Sequence, residues 1–579
     1  MTGRPQASAQ RPVTATCRWR ITAVFAAWIA VFALLGGRLF DLQVLQGPLL
    51  QRLAVRQQLE SIRLPGRRGF ILDRTGSRLA VNVEADSIYA VPRAIADPEA
   101  FAREVAPYLH LTPREVTARF RRGGPYFAWL ARRQPPEVID AVRALQLGDA
   151  IGIWPDTRRA YPAGTLAASV LGFTGVDDAG LAGLELQYDG SLRGVAGIGT
   201  ANRDAIGREL VQTERIVSPP HDGNTLVLTI DQVVQHVAER ELTRAIAGAG
   251  AQGGVAIVMD PQTGAILALV TAPTFDPNRY QAAPPARWKN RAVADVYEPG
   301  STFKLILVAA ALSSHAVRLG ETFADPGKIR INGATIHDAE PPDPKHTTLS
   351  LTEIVKYSSN VGAAQVATRL GKDRLFAYIE RFGFGRPTGI DLPGEAAGII
   401  RPVSQWYGPS LQNIGFGQGI SVTPIQLLVA ASALATHGVA VRPHLVEAIR
   451  DAAGHAIATP GNLPPRQVIE PEVADQVVAM MREVVEGGTG VKARLDGYAV
   501  AGKTGTAQRP GPFGGYEPGM YVSSFVGVVP ASVPRLAILV LVDRPRGVYF
   551  GGDIAAPAFR EIARQVLWYL RIPPAGTTE

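Results

Sequence analysis

The run Glu298-Pro299-Gly300-Ser301-Thr302-Phe303-Lys304 places a serine at the start of a predicted helix, with a lysine one turn later. The Pro-Gly pair interrupts the preceding chain, and the apolar run Leu305 to Leu312 contains neither glycine nor proline, which favours helix. Residues i and i+3 of a helix share a face, about 5–6 Å apart at Cβ, so Lys304 can reach Ser301. Because a serine hydroxyl needs a base to become nucleophilic, and an amine is a base only when burial or a nearby cation lowers its pKa, a second cation is expected close by.

Two later segments can complete such a site. Ser358-Ser359-Asn360 follows Ser350-Leu351-Thr352-Glu353, a capping-box pattern that begins a short helix, and a second helical stretch runs from Val361 to Leu370. The serines and the asparagine are therefore predicted at a helix junction. Lys503-Thr504-Gly505-Thr506 follows an apolar run and is predicted to be an edge strand, where the glycine permits close approach of a substrate backbone.

Each of these segments alone has an ordinary structural explanation. Ser301 can be an N-cap, the Ser-Ser-Asn segment can end a helix, and Lys503 can be a solvated surface lysine. Their joint occurrence favours a functional site, because two of only eight lysines in the chain fall in these segments.

The order S-x-x-K, S-x-N and K-T-G is typical of penicillin-binding proteins and serine β-lactamases. From about Arg38 to Trp568 the chain resembles class B penicillin-binding proteins, and most closely the septal peptidoglycan transpeptidases of the FtsI family. Val361-Gly362 after the Ser-Ser-Asn motif resembles the division enzyme, whereas elongation relatives tend to carry Ser-x-Asp. Further segments that resemble this family are Arg68 to Arg74, Gly183 to Glu185, Arg386 to Glu395, and Gly415 to Pro424.

The resemblance implies acyl transfer between peptidoglycan stem peptides, with β-lactams acylating the same serine. Ser301 is expected to attack the penultimate D-alanine carbonyl, Lys304 to take its proton, and Ser358 to pass a proton to the leaving D-alanine. Lys503 would keep Lys304 neutral and attract the donor carboxylate, and Asn360 would orient the donor amide and Lys304. The expected catalytic residues are Ser301, Lys304, Ser358, Asn360 and Lys503, and the expected substrate-binding residues are Thr504, Gly505 and Thr506.

Other functions remain open from the sequence. An elongation-type class B transpeptidase would carry the same three motifs. A membrane-anchored β-lactamase or β-lactam sensor and a non-catalytic scaffold of the division complex are further alternatives. Because the chain has no recognisable polymerase module, the resemblance implies a SEDS-family glycosyltransferase and other division proteins as partners.

The N-terminal region predicts a membrane anchor. Residues 21–37 carry no charge, close to the lower length limit for spanning a bilayer. The preceding tail contains Arg4, Arg11, Arg18 and Arg20 without an acidic residue, so the positive-inside rule keeps it in the cytoplasm and exports the rest to the periplasmic side of a bacterial inner membrane. A cleaved secretory signal is the alternative, but no clear small-x-small cleavage site follows.

Composition argues against other binding functions. The net charge is +8, and four of these charges lie in the arginine tail, where membrane lipid explains them, so we expect no nucleic-acid partner. No zinc, P-loop or dinucleotide pattern is present, and we expect neither metal nor cofactor. Cys17 is the only cysteine, so the exported part must be held together by a large hydrophobic core.

The expected fold class is α/β: a transpeptidase fold with one antiparallel sheet and helices on both faces, an α+β N-terminal pedestal, and a single transmembrane helix. The predicted domains are a cytoplasmic tail at 1–20, the anchor at 21–37, a non-catalytic pedestal or dimerisation domain at 38–222, the transpeptidase domain at 223–572 and a flexible tail at 573–579. The turn-rich segment Ser218 to Gly223 suggests the boundary at 222 and 223. Within the pedestal, the capping-box pattern Thr112-Pro113-Arg114-Glu115 predicts the start of a helix.

Overall fold

The computed structural model describes residues 15–50, 59–64, 66–202, 215–339, 347–461, 464–511 and 515–574. Most of the predicted cytoplasmic tail and the last five residues of the predicted flexible tail lie outside the described residues. The chain forms two compact units. Residues 1–66 and 195–221 form the smaller unit, and residues 67–194 and 222–579 form the larger one.

The smaller unit contains the N-terminal helix and a small sheet. The helix Ala15–Phe40 continues into a π-helical turn at Asp41–Leu45. It extends past both ends of the predicted anchor, because neither flank contains a proline that would end it. Arg18–Leu45 is the one stretch of the described residues that is long and apolar enough to cross a membrane. The antiparallel sheet has the strands Leu59–Leu64, Gly197–Asn202 and Arg215–Ser218.

The larger unit is built on a five-stranded sheet in which every neighbouring pair is antiparallel. Ala501–Pro510, which carries the Lys-Thr-Gly-Thr motif, is an edge strand, as predicted. The spatial order is Ile266–Ala272, Gly253–Met259, Leu536–Asp543, Tyr516–Val529 and Ala501–Pro510.

Helices cover both faces of this sheet, which confirms the predicted α/β fold. Because strand side chains alternate between faces, Ile257 packs into one apolar core and Ala256 into another. One face is covered by Gln232–Gly248 and Gly551–Tyr569. On the other face lie the almost completely buried helices Lys304–Ser313 and Pro424–Ala435. Their burial on nearly all sides explains why both helices are predominantly apolar rather than amphipathic, with Lys304 and Gln426 among the few buried polar side chains.

The remaining elements surround these two layers. The other helices after residue 222 are Arg291–Ala294, Leu351–Lys356, Asn360–Leu370, Lys372–Arg381, Ser410–Gly415 and Pro471–Gly487. Short strand pairs are formed by Thr322–Ala324 with Thr348–Ser350, Lys328–Ile331 with Ala334–His337, and Val439–Ala440 with Arg466–Gln467. The predicted capping box at Ser350 and Glu353 is present.

Residues 67–194 pack within the larger unit through a shared sheet. The strand Ile71–Leu72 runs parallel to Thr225–Leu228, so this six-stranded sheet contains strands from both sides of residue 222. Its order is Ala456–Ala458, Val446–Arg450, Thr225–Leu228, Ile71–Leu72, Arg78–Glu84 and Thr157–Ala160. The predicted domain boundary at residues 222 and 223 stays a prediction.

A second sheet and six helices complete residues 67–194. The sheet has the order Ala128–Ala131, Ser87–Ala90 and Ile151–Trp154. The predicted capping box at Thr112 and Glu115 begins one of the helices. The helices are Pro98–Val105, Pro113–Arg122, Pro136–Ala144, Ala168–Leu171, Gly183–Gln187 and Asp189–Leu192.

The two pedestal motifs singled out in the sequence meet in a buried ion-pair cluster. The Arg68 Nε donates to one carboxylate oxygen of Glu185 at 2.6 Å, and the Arg159 Nε donates to the other at 2.7 Å. Asp189 accepts a further hydrogen bond from Arg68 at 2.7 Å. The side chains of Arg68, Arg159 and Glu185 are almost completely buried. The cluster joins the start of residues 67–194 to their final helices.

Candidate active site

The nucleophile motif forms a tight turn before its helix. Gly300–Phe303 is a 3₁₀ turn, and the α-helix begins at Lys304. Gly300 has a φ of +54°, in the left-handed region that favours glycine. Gly417 packs directly on this turn, because a Cβ at that position would lie 2.1 Å from the Gly300 carbonyl oxygen. The glycine-rich segment after Gly415 therefore supports the turn that carries Ser301.

Lys304 lies at the centre of the site. Its Nζ is 3.1 Å from Ser301 Oγ and 3.3 Å from Ser358 Oγ. It also donates to the Ser358 carbonyl at 2.5 Å and to Asn360 Oδ1 at 2.8 Å. A neutral amine has two N–H groups, and these two acceptors can take both. The nitrogen lone pair then faces the serine hydroxyls.

Burial lowers the pKa of Lys304 to about 7, although Asp338 and Asp325 oppose the shift. The side chain has no exposed surface. At neutral pH a large fraction of the amine is therefore unprotonated, as a general base requires.

Ser358 connects the two lysines. Its Oγ accepts a hydrogen bond of 2.9 Å from Lys503 Nζ and lies close to Lys304 Nζ. Its φ of +62° is unusual for a residue with a side chain. The next residue, Ser359, caps the helix Asn360–Leu370 by accepting from the Gly362 N–H at 2.8 Å. The predicted helix junction thus holds Ser358 outside both helices, where its hydroxyl can bridge the lysines.

Lys503 is also completely buried, and its pKa is lowered by burial and by the charge of Lys304. We expected the positive charge of Lys503 to keep Lys304 neutral. For Lys304 itself, the principal physical cause is loss of water around the amine. The two amines cannot both be charged at low cost in so dry a place. One proton shared across Lys304, Ser358 and Lys503 is the arrangement that this geometry favours.

The other residues of the third motif lie beside these groups. Thr504 Oγ1 is 3.3 Å from Lys503 Nζ and 2.8 Å from the Thr489 hydroxyl. Thr506 Oγ1 accepts from the Gly551 N–H at 3.1 Å. Gly505 packs against the nucleophile turn, since a Cβ there would lie 3.0 Å from Thr302 Cγ2 and 2.3 Å from Ser524 Oγ. This packing is a second reason for glycine, besides the predicted approach of a substrate.

Sequence reasoning missed two acidic residues next to the motifs. Asp338 Oδ1 accepts from the N–H groups of Asn360 at 2.6 Å and Val361 at 3.1 Å. Glu298 is buried and accepts from the Gly419 N–H at 2.8 Å and the Tyr516 hydroxyl at 3.0 Å. The stretch around Glu298 and the glycine-rich segment were both singled out, and only their pairing was missed. Asp338 carried no pattern that would have revealed it.

Two family models cover most of the chain. The model for the penicillin-binding protein transpeptidase domain matches residues 254–564, and the model for the penicillin-binding protein dimerisation domain matches residues 63–228. The chain belongs to the class B penicillin-binding proteins. All three motifs of this penicillin-binding protein fall within the first matched range.

Individual relatives match along nearly the full length. Stage V sporulation protein D of Bacillus subtilis is 36% identical, over 96% of this chain and 87% of the relative. Peptidoglycan D,D-transpeptidase FtsI of Escherichia coli is 32% identical, over 97% of this chain and 93% of the relative. A crystal structure of penicillin-binding protein 3 from Mycobacterium tuberculosis with ampicillin is 29% identical, covers 89% of this chain and 98% of the other, and has a TM-score of 0.70. The similarity to each of these two relatives, over 96% and 97% of this penicillin-binding protein, therefore extends over both of its matched domains.

Proposed function

We propose that this penicillin-binding protein crosslinks peptidoglycan stem peptides at the division septum, through an acyl-enzyme on Ser301. Peptidoglycan D,D-transpeptidase activity follows from membership of the family. The observation that carries the assignment of residues is the position of Lys304, whose amine lies 3.1 Å from Ser301 Oγ while two carbonyl oxygens occupy its N–H groups.

The mechanism assigns one step to each motif. Ser301 Oγ attacks the penultimate D-alanine carbonyl while its proton moves to Lys304. The Ser358 hydroxyl, between both lysines, relays a proton to the amine of the departing D-alanine. An amine of a neighbouring stem peptide then attacks the acyl-enzyme and forms the crosslink. A β-lactam enters the same path because it offers an amide carbonyl and a carboxylate in the same arrangement.

The substrate is held by the edge strand and its neighbours. The Ser301 and Thr506 N–H groups would stabilise the oxyanion. Lys503, Thr504 and Thr506 would bind the donor carboxylate. Gly505 lets the donor backbone lie along the unpaired edge of the strand Ala501–Pro510, and Asn360 orients both the donor amide and Lys304.

The proposed setting is the inner membrane at the septum. The helix Ala15–Phe40 is the anchor, with the arginine tail in the cytoplasm and the transpeptidase domain in the periplasm. The partners are a SEDS-family glycosyltransferase and other division proteins. Ser-Ser-Asn-Val-Gly at residues 358–362 supports the division role.

A role in sporulation is the second candidate, because Stage V sporulation protein D is 36% identical to this chain. Imaging of a fluorescent fusion in the native host separates the candidates. Midcell signal during growth supports septation, sidewall signal supports elongation, and signal confined to sporulating cells supports the second candidate.

Labelling with a tagged penicillin tests the nucleophile. The full-length protein should carry one covalent label at Ser301, the Ser301→Ala variant should carry none, and the variant should fail to support septation. Ser314→Ala is the matched control, because that hydroxyl bonds only backbone carbonyls of its own helix, and it should label normally. Full complementation by Ser301→Ala would leave only the scaffold function.

A further inference from the structure

A short hairpin that carries none of the three motifs reaches the active site. Its strands are Lys328–Ile331 and Ala334–His337, and Asp338 follows directly. The His337 carbonyl accepts a hydrogen bond of 3.0 Å from Asn360 Nδ2. The hairpin end therefore bonds the side chain of a motif residue whose other amide atom, Oδ1, accepts from Lys304 Nζ.

Asp338 fixes the backbone of the same residue. One carboxylate oxygen accepts from both Asn360 and Val361, the first two N–H groups of an 11-residue helix. Negative charge at a helix N-terminus is favourable, because these N–H groups lack partners within the helix. Asn360 is thus held at its backbone by Asp338, at its side chain by His337, and against Lys304.

A second carboxyl group supports Asp338. Asp325 is almost fully buried and accepts from the Gly327 N–H at 3.0 Å, and its carboxyl group lies close enough to Asp338 to raise the pKa of that residue. Burial and the Asp325 carboxyl raise the pKa of Asp338 to about 6, against the opposing effect of the helix N–H groups.

We propose that Asp338, supported by Asp325, is a positioning residue that acts through Asn360 to hold Lys304 in place and to set the charge that the lysine faces. The proposal rests on the proposed role of Lys304 as general base. In the described part of the chain Asp338 forms no hydrogen bond with Ser301 or Lys304 and bonds the backbone of Asn360 and Val361 instead, so its proposed role is that of a positioning residue and not of a catalytic one. Its effect on the reaction is mechanical, through Asn360, and electrostatic, through space.

The electrostatic effect of Asp338 on the pKa of Lys304 has a definite direction. The negative charges of Asp338 and Asp325 raise the pKa of Lys304 and so oppose the lowering by burial. Among the described residues, the other titratable side chains near this cluster are Lys503, whose amine shares the Ser358 hydroxyl with Lys304, and His337 in the hairpin, which is exposed. Removing the Asp338 charge should therefore lower the pKa of Lys304 further, so that the amine stays neutral at lower pH.

Two substitutions separate the mechanical and electrostatic effects. Asp338→Asn keeps an oxygen for the two N–H groups but removes the charge, and Asp338→Ala removes both. The measurement is the second-order rate of acylation of detergent-purified full-length protein by a fluorescent penicillin between pH 5 and pH 9. Thr335→Ala, at an exposed position of the same hairpin, is the control. Melting temperatures identify any variant that fails to fold.

We expect Asp338→Ala to slow acylation on the order of 100-fold at high pH, because a displaced base costs about that much. Asp338→Asn should keep most of the rate at high pH and shift the acid limb of the profile to lower pH. Thr335→Ala should match the wild type. If folded Asp338→Asn keeps the wild-type acid limb and folded Asp338→Ala stays within about twofold, the positioning role is wrong. Absence of labelling in the wild type itself would instead contradict the proposed function.

Discussion

Two clusters of buried charge lie in the same compact unit and are built in opposite ways. In the cluster of Arg68, Arg159 and Glu185, each guanidinium bonds a carboxylate oxygen. In the active site, Lys304 and Lys503 lie on either side of the Ser358 hydroxyl, and within the described part of the chain neither forms an ion pair. The pedestal cluster therefore contains charges that are paired with opposite charges. The active site instead contains two amines whose charged forms are destabilised by burial.

The pKa values of the basic groups are shifted in opposite directions in the two clusters. Glu185 and Asp189 hold the pKa of Arg68 above its ordinary value although burial alone would lower it. Burial lowers the pKa of both lysines. Compensated burial keeps the charges of the Arg68 cluster paired, so that removing one partner is costly, whereas uncompensated burial favours a neutral amine that can accept a proton. The comparison predicts that substitutions in the two clusters should affect different measurements.

The largest effect is expected for Lys304→Met, which replaces the amine by an apolar chain of similar length. Loss of a positioned general base should slow acylation of Ser301 by about 10²- to 10⁴-fold. Because the substitution removes a poorly solvated amine, the melting temperature should stay equal or rise. The test is the acylation rate with a fluorescent penicillin, with thermal unfolding measured in parallel. A rate within tenfold of the wild type would contradict the role of Lys304 as base.

The opposite pattern is expected for Glu185→Ala in the pedestal. Removing the shared carboxylate leaves two buried guanidinium groups without their main partner, which costs about 3–5 kcal/mol in the free energy of unfolding. The acylation rate of the folded fraction should not change. Glu137→Ala, at an exposed position, is the control and should leave stability unaltered. Comparable melting temperatures for the two variants would show that the buried cluster has no special role.

The pH dependence should also separate the two clusters. Acylation should fall about tenfold per pH unit once the pH is well below 7, as Lys304 becomes protonated. Between about pH 7 and pH 10 the unfolded chain binds a proton on Lys304 that the folded chain does not, so the free energy of unfolding should rise with pH. This rise should be smaller in Lys304→Met, which thermal unfolding at pH 7 and pH 9.5 can measure. An equal rise in both proteins would exclude Lys304 as its source.

The smallest effects are expected at the two predicted capping boxes. Ser350→Ala removes the N-cap of Leu351–Lys356 and should cost about 1 kcal/mol of stability. It should also slow acylation, because this helix leads directly to Ser358. Thr112→Ala, at the exposed cap of the pedestal helix Pro113–Arg122, should cost less and leave acylation unchanged. Equal acylation rates in both variants would mean that the short helix does not position Ser358.

Local patterns predicted much of this molecule. The three motifs were identified from the order of their residues, whereas the edge strand, both capping boxes and the helices next to the motifs followed from turn residues and apolar runs, because those signals act within a few residues. Arg68 and Glu185 were singled out by resemblance, yet their direct ion pair, and the second ion pair between Arg159 and Glu185, join chain segments far apart in the sequence. The shared sheet of Ile71–Leu72 and Thr225–Leu228 was missed for the same reason, since a two-residue strand has no periodicity.

The Asp338 carboxyl group shows most clearly what local sequence patterns could not predict. A single aspartate after a hairpin has no local feature that distinguishes it from a solvated turn residue. Its importance arises only when the hairpin packs on the first turn of Asn360–Leu370. By contrast, the glycines at 417 and 505 were visible in the sequence, but the close contacts that require them were not.

The left-handed backbone of Ser358 limits how far this enzyme can be made more robust. A glycine would relieve a strain on the order of 1 kcal/mol at that φ, but it would delete the hydroxyl between the lysines. Selection for heat resistance and selection for turnover therefore act in opposite directions at this position. Thermostable variants with full activity should therefore carry their substitutions elsewhere in the chain and keep the strained backbone conformation of Ser358.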